Sequence, residues 1–315
     1  MARRPRAQSH PCHGVEADPP PHPTYDMDAV IRLALAEDAG DLGDVTTVST
    51  VCADREARAT FLAKGDGTLA GLRVADAVFR AVDEDLVCKW TARDGDAVAR
   101  GQVFGVLTGR ARSVLVAERV ALNFMQRMGG IATLTGAYVD AVKKSGASAK
   151  ILETRKTAPG LRVFDKWAVL IGGGTNHRIG LYDMVMIKDN HIAAAGGIEK
   201  AVASCRDYLS AQGRSVPIEV EVCTLAQLDE VLAIQPPVDR IMLDNMTVRT
   251  PDGGLDTSML YEAVARVAGR VETEASGNVT LDTVAQIALS GCTYISSGQL
   301  THSVQVLDIS MNIET

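Results

Sequence analysis

Apolar runs that end in polar or charged residues recur through the second half of the chain. They lie at 149–154, 184–188, 218–222, 240–244, 271–275 and 293–297, and the polar or glycine positions at their ends are 23 to 33 residues apart. Such spacing is typical of repeated β/α units, and unbroken apolar runs are typical of parallel strands that are buried on both faces. The pattern predicts a parallel α/β barrel, although an open doubly wound sheet predicts similar spacing.

The first half of the chain has a different pattern. Short alternating stretches between 57 and 109 are separated by Gly-Asp turns and by one helix-like segment at 71–82, which predicts an α+β domain. A strong amphipathic helix is predicted over 113–128, ending at Gly129-Gly130. We expect an earlier helix to begin near Tyr25, where Asp26 precedes helically spaced apolar residues.

Composition narrows the class of protein. The 315 residues carry a formal charge of −7 and 4% aromatic residues, which disfavours a general nucleic-acid binder. Charged residues or glycine interrupt every apolar stretch before the ~20 residues of a membrane helix, so we expect a soluble intracellular protein. The six cysteines form no C-x-x-C pair, so neither a zinc site nor a disulfide scaffold is indicated.

Residues 1–24 are predicted to be a disordered tail. They contain Arg3, Arg4 and Arg6 but no acidic residue before Glu16, a composition that is also compatible with the remnant of an organelle transit peptide. The sequence leaves the location open between plastid and cytoplasm.

Cationic residues cluster at the predicted strand ends. Between 153 and 191 there are six Lys or Arg residues against four Asp or Glu. The residues of interest are Arg155, Lys156, Arg162, His177, Arg178, Lys188 and His191. A local positive excess in an acidic protein favours binding of a small polyanion through charge-assisted hydrogen bonds, whereas the structural alternative for each histidine is a satisfied core or surface residue.

Carboxylates mark the next two strand ends. Alternation along 218–222 places Glu219 and Glu221 on one face of the strand, and Asp244 ends the strand that follows. Buried carboxylates need cations, which are either the basic residues above or a metal ion such as Mg²⁺. A purely structural salt-bridge network is the alternative.

Glycines near the last two strand ends suggest a phosphate site. Gly277 and the segment Ser296-Ser-Gly298 are similar to the phosphate-binding loops of α/β barrels. Gly172-Gly-Gly174 lacks the Lys-Ser/Thr of a P-loop, and no G-x-G-x-x-G motif opens a helix after a strand, so nucleotide binding of those kinds is not indicated.

Taken together, a series of motifs resembles the quinolinate phosphoribosyltransferase family, and its plant-type branch most closely. The motifs, in family order, are Glu118-Arg-Val-Ala-Leu-Asn123, Thr154-Arg-Lys-Thr157, His177-Arg178, Lys188-Asp-Asn-His191, Glu219-Val-Glu221, Leu243-Asp-Asn245, Glu274-Ala-Ser-Gly277 and Leu300-Thr-His-Ser-Val304. Three sites depart from the commoner bacterial pattern: Met128-Gly129-Gly130 in place of a Ser-Gly pair, Asn278 in place of glycine and Gln299 in place of alanine.

The resemblance implies an α/β protein with two domains and a short return of the chain. An open α/β sandwich is expected over 25–129 and an incomplete parallel α/β barrel, as in type II phosphoribosyltransferases, over 130–300. The segment 301–315 is expected to pack back toward the N-terminal domain. The family is dimeric, so a homodimer or a higher assembly of dimers is expected.

The implied reaction joins quinolinate to phosphoribosyl pyrophosphate with Mg²⁺, giving nicotinate mononucleotide, pyrophosphate and CO₂. By resemblance, Arg155, His177, Arg178 and Lys188 bind quinolinate, and Arg119 reaches in from the partner subunit. Lys156, Glu221 and Asp244 are the expected catalytic residues, with the two carboxylates as ligands of Mg²⁺. The 5-phosphate is expected at Ser276, Gly277, Gly298 and His302. Arg119 has no signal of its own, because a polar helix face is ordinarily solvated.

Three alternatives stay open at this point. A strand-end lysine such as Lys188 could form a Schiff base, as in class I aldolases. A phosphate-binding sensor would bind without turnover. A relative acting on nicotinate itself would share the barrel but would need fewer carboxylate-binding cations.

Overall fold

The computed structural model describes residues 14–314. Its helices are α1 Met27–Ala39, α2 Val45–Thr50, α3 Leu72–Val82, α4 Ala111–Lys144, α5 Arg162–Ile171, α6 Asp189–Ala195, α7 Ile198–Ala211, α8 Leu225–Ala233, α9 Ser258–Val267, α10 Leu281–Ala288 and α11 Gln299–His302. None of the helices in this part of the chain is long and apolar enough to cross a membrane.

The strands are β1 Glu56–Ala63, β2 Gly67–Thr68, β3 Val87–Trp90, β4 Ala97–Val98, β5 Val103–Arg110, β6 Lys150–Leu152, β7 Val185–Ile187, β8 Ile218–Val222, β9 Arg240–Asp244, β10 Val248–Arg249, β11 Leu255–Asp256, β12 Glu272–Ser276, β13 Tyr294–Ser296 and β14 Ile309–Ile313. The described chain divides into two compact units. Unit 1 comprises 14–136, 163–173 and 304–314, and unit 2 comprises 137–162 and 174–303.

Unit 1 is built on an antiparallel sheet with the strand order β14-β1-β5-β3. The amphipathic helix α3 contributes Val78 and Phe79 to the core, and Phe61 and Phe104 reach it from the sheet. The N-terminus of α3 is satisfied by a distant side chain, since the backbone N–H of Leu72 donates to Asp94 Oδ1 at 3.0 Å. This mixed arrangement is the predicted N-terminal α/β domain.

The C-terminal strand completes this sheet. Residues of β14 pair antiparallel with β1, with Ile313 opposite Ala59 and Ile309 opposite Ala63. Strand β1 is therefore covered on both edges, by β14 and by β5, and β14 closes an edge that would otherwise expose unpaired backbone groups.

Part of the segment expected to be a disordered tail is ordered. The backbone N–H of Val15 donates to the carbonyl of Ile171 at 3.0 Å, and the indole of Trp167 donates to the carbonyl of Ala17 at 2.7 Å. The polar, proline-rich composition suggested disorder, but these contacts within unit 1 supply partners that composition does not reveal. Residues 1–13 of the predicted tail lie outside the described residues.

Helix α4 corrects the expected helix end at Gly129-Gly130, because it continues to Lys144. The glycines are sites of close packing. A Cβ atom at position 130 would lie 2.2 Å from the carbonyl oxygen of Gln305, and one at position 129 would lie 3.1 Å from the Leu307 side chain. The two glycines therefore allow the C-terminal segment to pack closely against α4, and they do not form a helix cap.

Unit 2 contains six parallel strands in the order β6-β13-β12-β9-β8-β7. Each coincides with one of the predicted apolar runs to within two residues at either end. Strands β6 and β7 form the two edges of the sheet, which confirms a parallel α/β fold with an incomplete barrel. The carboxyl ends of all six strands consequently lie along one rim.

Candidate active site

A cavity of about 690 Å³ opens within unit 2 at the carboxyl ends of the parallel strands. Its lining includes the predicted residues Arg155, Lys156, His177, Arg178, Lys188, Glu221, Asp244, Ser276, Gly277, Gly298 and His302. Arg119 is exposed on α4 in unit 1 and is not part of the lining. The topology thus brings together side chains that are almost 150 residues apart in sequence.

Two guanidinium groups form the cationic side of the cavity. The Nε atom of Arg155 is buried and has no hydrogen-bond partner among the described residues. Arg178 donates to the carbonyl of Met184 at 3.2 Å and lies 3.7 Å from the sulfur of Met186. Burial and the positive charge of Arg155 lower the pKa of Arg178. In residues 14–314 neither guanidinium forms an ion pair with a carboxylate. An anionic ligand would therefore offset both the cost of burying the two charges and the repulsion between them.

Arg162, which the sequence placed in the same cationic cluster, has a structural role instead. Its guanidinium donates to Thr157 Oγ1 at 3.1 Å and to the carbonyl oxygens of Ile179 and Arg155 at 3.3 and 3.4 Å. It is absent from the cavity lining. By bridging the loops after β6 and before β7, Arg162 fixes the backbone that carries Arg155.

His177 lies beneath the cationic side and is buried against carboxylates. Its Nε2 atom is 3.2 Å from Oε2 of Glu219 and 3.2 Å from Oε2 of Glu274. Its backbone N–H donates to Glu153 Oε1 at 3.0 Å, and the backbone N–H of Arg178 is 2.6 Å from Nδ1. Nε2 therefore carries a proton in either charge state of the ring. Burial alone would lower the pKa of His177, but the two carboxylates outweigh it and raise the pKa to about 9.

Arg240 balances the charge of this buried group and was missed by the sequence analysis. Its guanidinium lies 3.3 Å from Glu274 and 3.2 Å from Glu272, and it stacks 4.0 Å from the ring centroid of Tyr294. His177, Glu219 and Glu274 are close enough to hold a metal ion, with ligand atoms within 4.8 Å of one another. Because Arg240 already supplies a positive charge there, the group fits a salt-bridge network better than a metal site.

Lys188 and Glu221 form an ion pair across the cavity floor between β7 and β8. The Glu221 side chain is largely buried, whereas that of Lys188 is 42% exposed. Glu219 faces His177, and Glu221 faces Lys188. Each of the two carboxylates of β8 therefore has a basic partner, as expected for carboxylates that point into the protein. His191 is outside the cavity lining and accepts a hydrogen bond from the Lys188 backbone at the start of α6, which is the structural alternative for this histidine.

Asp244 and Glu221 both line the cavity, and their carboxylate oxygens are the ligand type that a hard divalent cation prefers, although Glu221 is also paired with Lys188. Asp244 accepts one hydrogen bond, from the amide of Asn245 at 2.6 Å. Its second oxygen has no hydrogen-bond partner among the described residues. Two carboxylates leave most coordination positions open for water and substrate phosphate, which is the usual arrangement for Mg²⁺.

The opposite end of the cavity is built from glycine-containing loops after β12 and β13. A Cβ atom at position 298 would lie 2.9 Å from both the Lys156 and the His302 side chains, so the glycine permits these two side chains to approach the loop. Thr301 donates to the carbonyl of Lys156 at 2.9 Å and holds the loop after β6 against α11. Exposed backbone and two basic side chains suit a phosphate group.

Gln299, one of the departures from the bacterial pattern, is also part of the cavity lining. Its side-chain oxygen accepts a hydrogen bond of 2.6 Å from the hydroxyl of Tyr138. The tyrosine lies at the center of the unit, fully buried on α4, and no sequence signal connected it with the strand-end loop.

Comparisons with known proteins agree with this geometry. Residues 44–129 match the family described as quinolinate phosphoribosyl transferase, N-terminal domain, and residues 131–312 match the corresponding C-terminal domain. The chain is 58% identical to the chloroplastic nicotinate-nucleotide pyrophosphorylase [carboxylating] of Arabidopsis thaliana, across 94% of this chain and 85% of that protein. It is 56% identical to the mitochondrial quinolinate phosphoribosyltransferase [decarboxylating] 2a of Nicotiana tabacum, across 96% and 86%.

Among solved structures, NadC from Streptococcus pyogenes superposes with a TM-score of 0.82 at 40% identity. The superposition covers 91% of this chain and 95% of that one. Matches to both family domains account for most of the chain, and relatives above 55% identity extend over nearly all of it. The chain therefore belongs to the quinolinate phosphoribosyltransferase family.

Proposed function

We propose that the chain transfers the phosphoribosyl group of phosphoribosyl pyrophosphate to quinolinate with decarboxylation, giving nicotinate mononucleotide, pyrophosphate and CO₂ in the de novo synthesis of NAD. The observation that supports this most strongly is the pair of guanidinium groups, Arg155 and Arg178, that face one cavity without carboxylate partners in the described chain. A dicarboxylate such as quinolinate supplies both missing anions.

In this proposal, Arg155, Arg178 and Lys188 hold the two carboxylates and orient the pyridine nitrogen toward the ribose. His177, whose ring nitrogens face protein groups, supports this site from beneath. Arg119 from a second copy of the chain completes the same site, which makes a homodimer the working unit. Holding the reactants in one geometry is the main source of rate enhancement, because no covalent nucleophile is required.

Lys156 faces the departing pyrophosphate, and Glu221 and Asp244 stabilise the positive charge that develops on the ribose. The same two carboxylates would hold Mg²⁺, which when bound neutralises phosphate charge and helps the pyrophosphate to leave. Ser276, Gly277, Gly298 and His302 would anchor the 5-phosphate at the far end of the cavity. Loss of CO₂ further requires that the cations hold the departing carboxylate less tightly in the transition state.

The experiment that tests the proposal offers quinolinate and nicotinate separately, each with phosphoribosyl pyrophosphate and Mg²⁺, and counts nicotinate mononucleotide and released CO₂. We expect quinolinate to give nicotinate mononucleotide and an equal amount of CO₂, and we expect nicotinate to give neither. Turnover of nicotinate without CO₂ would contradict the dicarboxylate site but keep the phosphoribosyl site. Binding without turnover of either compound would support a sensor, and a borohydride-trapped adduct on Lys188 would support the Schiff-base alternative.

We also propose an organellar location. The arginine-rich composition of residues 1–24 and the chloroplastic and mitochondrial names of close relatives support it. Imaging of the full chain with a C-terminal fluorescent fusion, together with plastid and mitochondrial markers, tests this point. Diffuse cytoplasmic fluorescence would contradict it.

A further inference from the structure

Beside the cavity, the neighbouring strands β9 and β12 end side by side, and each is followed by a residue with a left-handed backbone. Asp244 and Ser276 are paired as the last residues of the two strands, and the pairing continues because the backbone N–H of Asn245 donates to the carbonyl of Ser276 at 3.0 Å. The next residue on each strand then turns into the left-handed region, with φ of 54° at Asn245 and 98° at Gly277.

The Asn245 side chain fills the space between these two turns. Its Nδ2 atom donates to Oδ2 of Asp244 at 2.6 Å, and its Oδ1 atom faces Gly277. A Cβ atom at position 277 would lie 2.2 Å from that Oδ1 and 2.8 Å from the Asn245 Cγ atom. The missing side chain at Gly277 therefore creates the space that the Asn245 amide occupies.

We propose that Asn245 is a positioning residue that fixes the Asp244 carboxylate, so that one oxygen is held by the Asn245 amide while the other is directed to the phosphoribosyl pyrophosphate and its divalent cation. This inference rests on the proposed function. A carboxylate on a strand end can rotate about its last torsion, and a hydrogen bond to one oxygen removes that freedom. Metal-binding carboxylates are commonly held by such an outer partner.

Asparagine is the residue type that meets both demands at this position. A left-handed backbone is strained for an ordinary residue, whereas asparagine and glycine adopt it readily. Glycine has no amide to donate. Aspartate has the shape and tolerates the conformation, but it would place a second negative charge beside Asp244.

The test compares Asn245→Gly and Asn245→Asp with the control Ala268→Gly. Ala268 also has a left-handed backbone, with φ of 51°, but it caps α9 and lies outside the cavity lining. The control thus reproduces the backbone change without touching the Asp244 carboxylate. Steady-state KM values are measured for each substrate, and Mn²⁺ binding in the presence of phosphoribosyl pyrophosphate is followed by electron paramagnetic resonance without quinolinate.

We expect Asn245→Gly to raise the KM for phosphoribosyl pyrophosphate and the Mn²⁺ dissociation constant about tenfold, the usual effect of losing one hydrogen bond to a charged group. Asn245→Asp should also raise the KM for phosphoribosyl pyrophosphate, because its negative charge repels the phosphates. The KM for quinolinate should stay within about twofold, and Ala268→Gly should match the parent protein.

Unchanged Mn²⁺ binding in Asn245→Gly, or an equal loss of affinity for both substrates, would overturn the positioning role. These outcomes require a parent protein that turns over quinolinate. A parent protein without that activity would instead contradict the proposed function, so the two failures are distinguishable.

Discussion

Nε2 of His177 lies 3.2 Å from Oε2 of Glu274, a carboxylate that is fully buried in unit 2. A buried carboxylate beside a buried imidazole stabilises the protonated ring. The charge of His177, which lines the cavity, is therefore coupled to a carboxylate in the protein core. The same link makes folding stability depend on the protonation of His177.

Glu274→Gln removes the negative charge but keeps the shape of the side chain. We expect the pKa of His177 to fall from about 9 toward its ordinary value, because one of the two carboxylates that oppose the effect of burial has been neutralised. We also expect the protein to lose about 3 kcal/mol of stability, since Arg240 is left without its buried partner. NMR titration of the His177 ring and denaturant unfolding measure the two effects, and an unchanged pKa would contradict the prediction.

The pH dependence of stability follows from the same pKa. The ordinary value of about 6.5 applies to the unfolded chain and the folded value is about 9, so the stabilisation is complete below pH 6.5 and is lost as pH rises through 9. Denaturant unfolding between pH 6 and 10 should show this loss. It should persist in His191→Gln, which removes a histidine outside the cavity, and disappear in His177→Gln.

Arg178→Ala should raise the KM for quinolinate by about 100-fold, the cost of losing a charge-assisted contact in a partly buried site. The melting temperature should change little, because within the described residues the guanidinium is held by a carbonyl and a sulfur atom alone. Arg214→Ala, a change at an exposed arginine, is the matched control. An unchanged KM for quinolinate would remove Arg178 from the proposed binding site.

Two glycines of α4 should respond to alanine in opposite directions. Gly130→Ala places a Cβ atom 2.2 Å from the carbonyl oxygen of Gln305. We therefore expect a loss of about 2–3 kcal/mol in the free energy of unfolding. At Gly136 the nearest atom is 3.7 Å away, and alanine should stabilise the helix by about 1 kcal/mol. Thermal unfolding of both variants tests the close approach of the backbone at Gly130. An equal change in the melting temperature of Gly130→Ala and Gly136→Ala would contradict it.

Asp94→Asn should flatten the pH dependence of unit 1. Burial raises the pKa of Asp94 from 3.8 to about 6, against the opposing effect of backbone hydrogen bonds to the start of α3. Protonation therefore favours the folded state at low pH, and this contribution is lost as pH rises from about 4 through 6. The asparagine keeps an acceptor for the Leu72 N–H, so we expect about 1 kcal/mol of added stability at pH 7, measured by denaturant unfolding.

The sequence alone determined the six parallel strands of unit 2 and the reactive side chains at their ends. The apolar run at 218–222 became β8, and the run at 240–244 became β9 with Asp244 at its end. Strand periodicity and strand-end polarity are local properties, so they can be inferred without knowledge of the neighbouring strands. The motif resemblance then gave the family, because the order of the motifs specifies more than any single motif.

The tertiary structure alone decided which of these residues meet. Arg240 lies at the start of β9, and only the strand order β12-β9-β8 places it opposite Glu219 and beside Glu272. The contact between Asn245 and Gly277 likewise depends on two strands that are adjacent in the sheet but about 30 residues apart in the chain. Sheet order and the close approach of backbones are nonlocal properties, and so the buried charge network and the packing of Gly130 carry no local signal in the sequence.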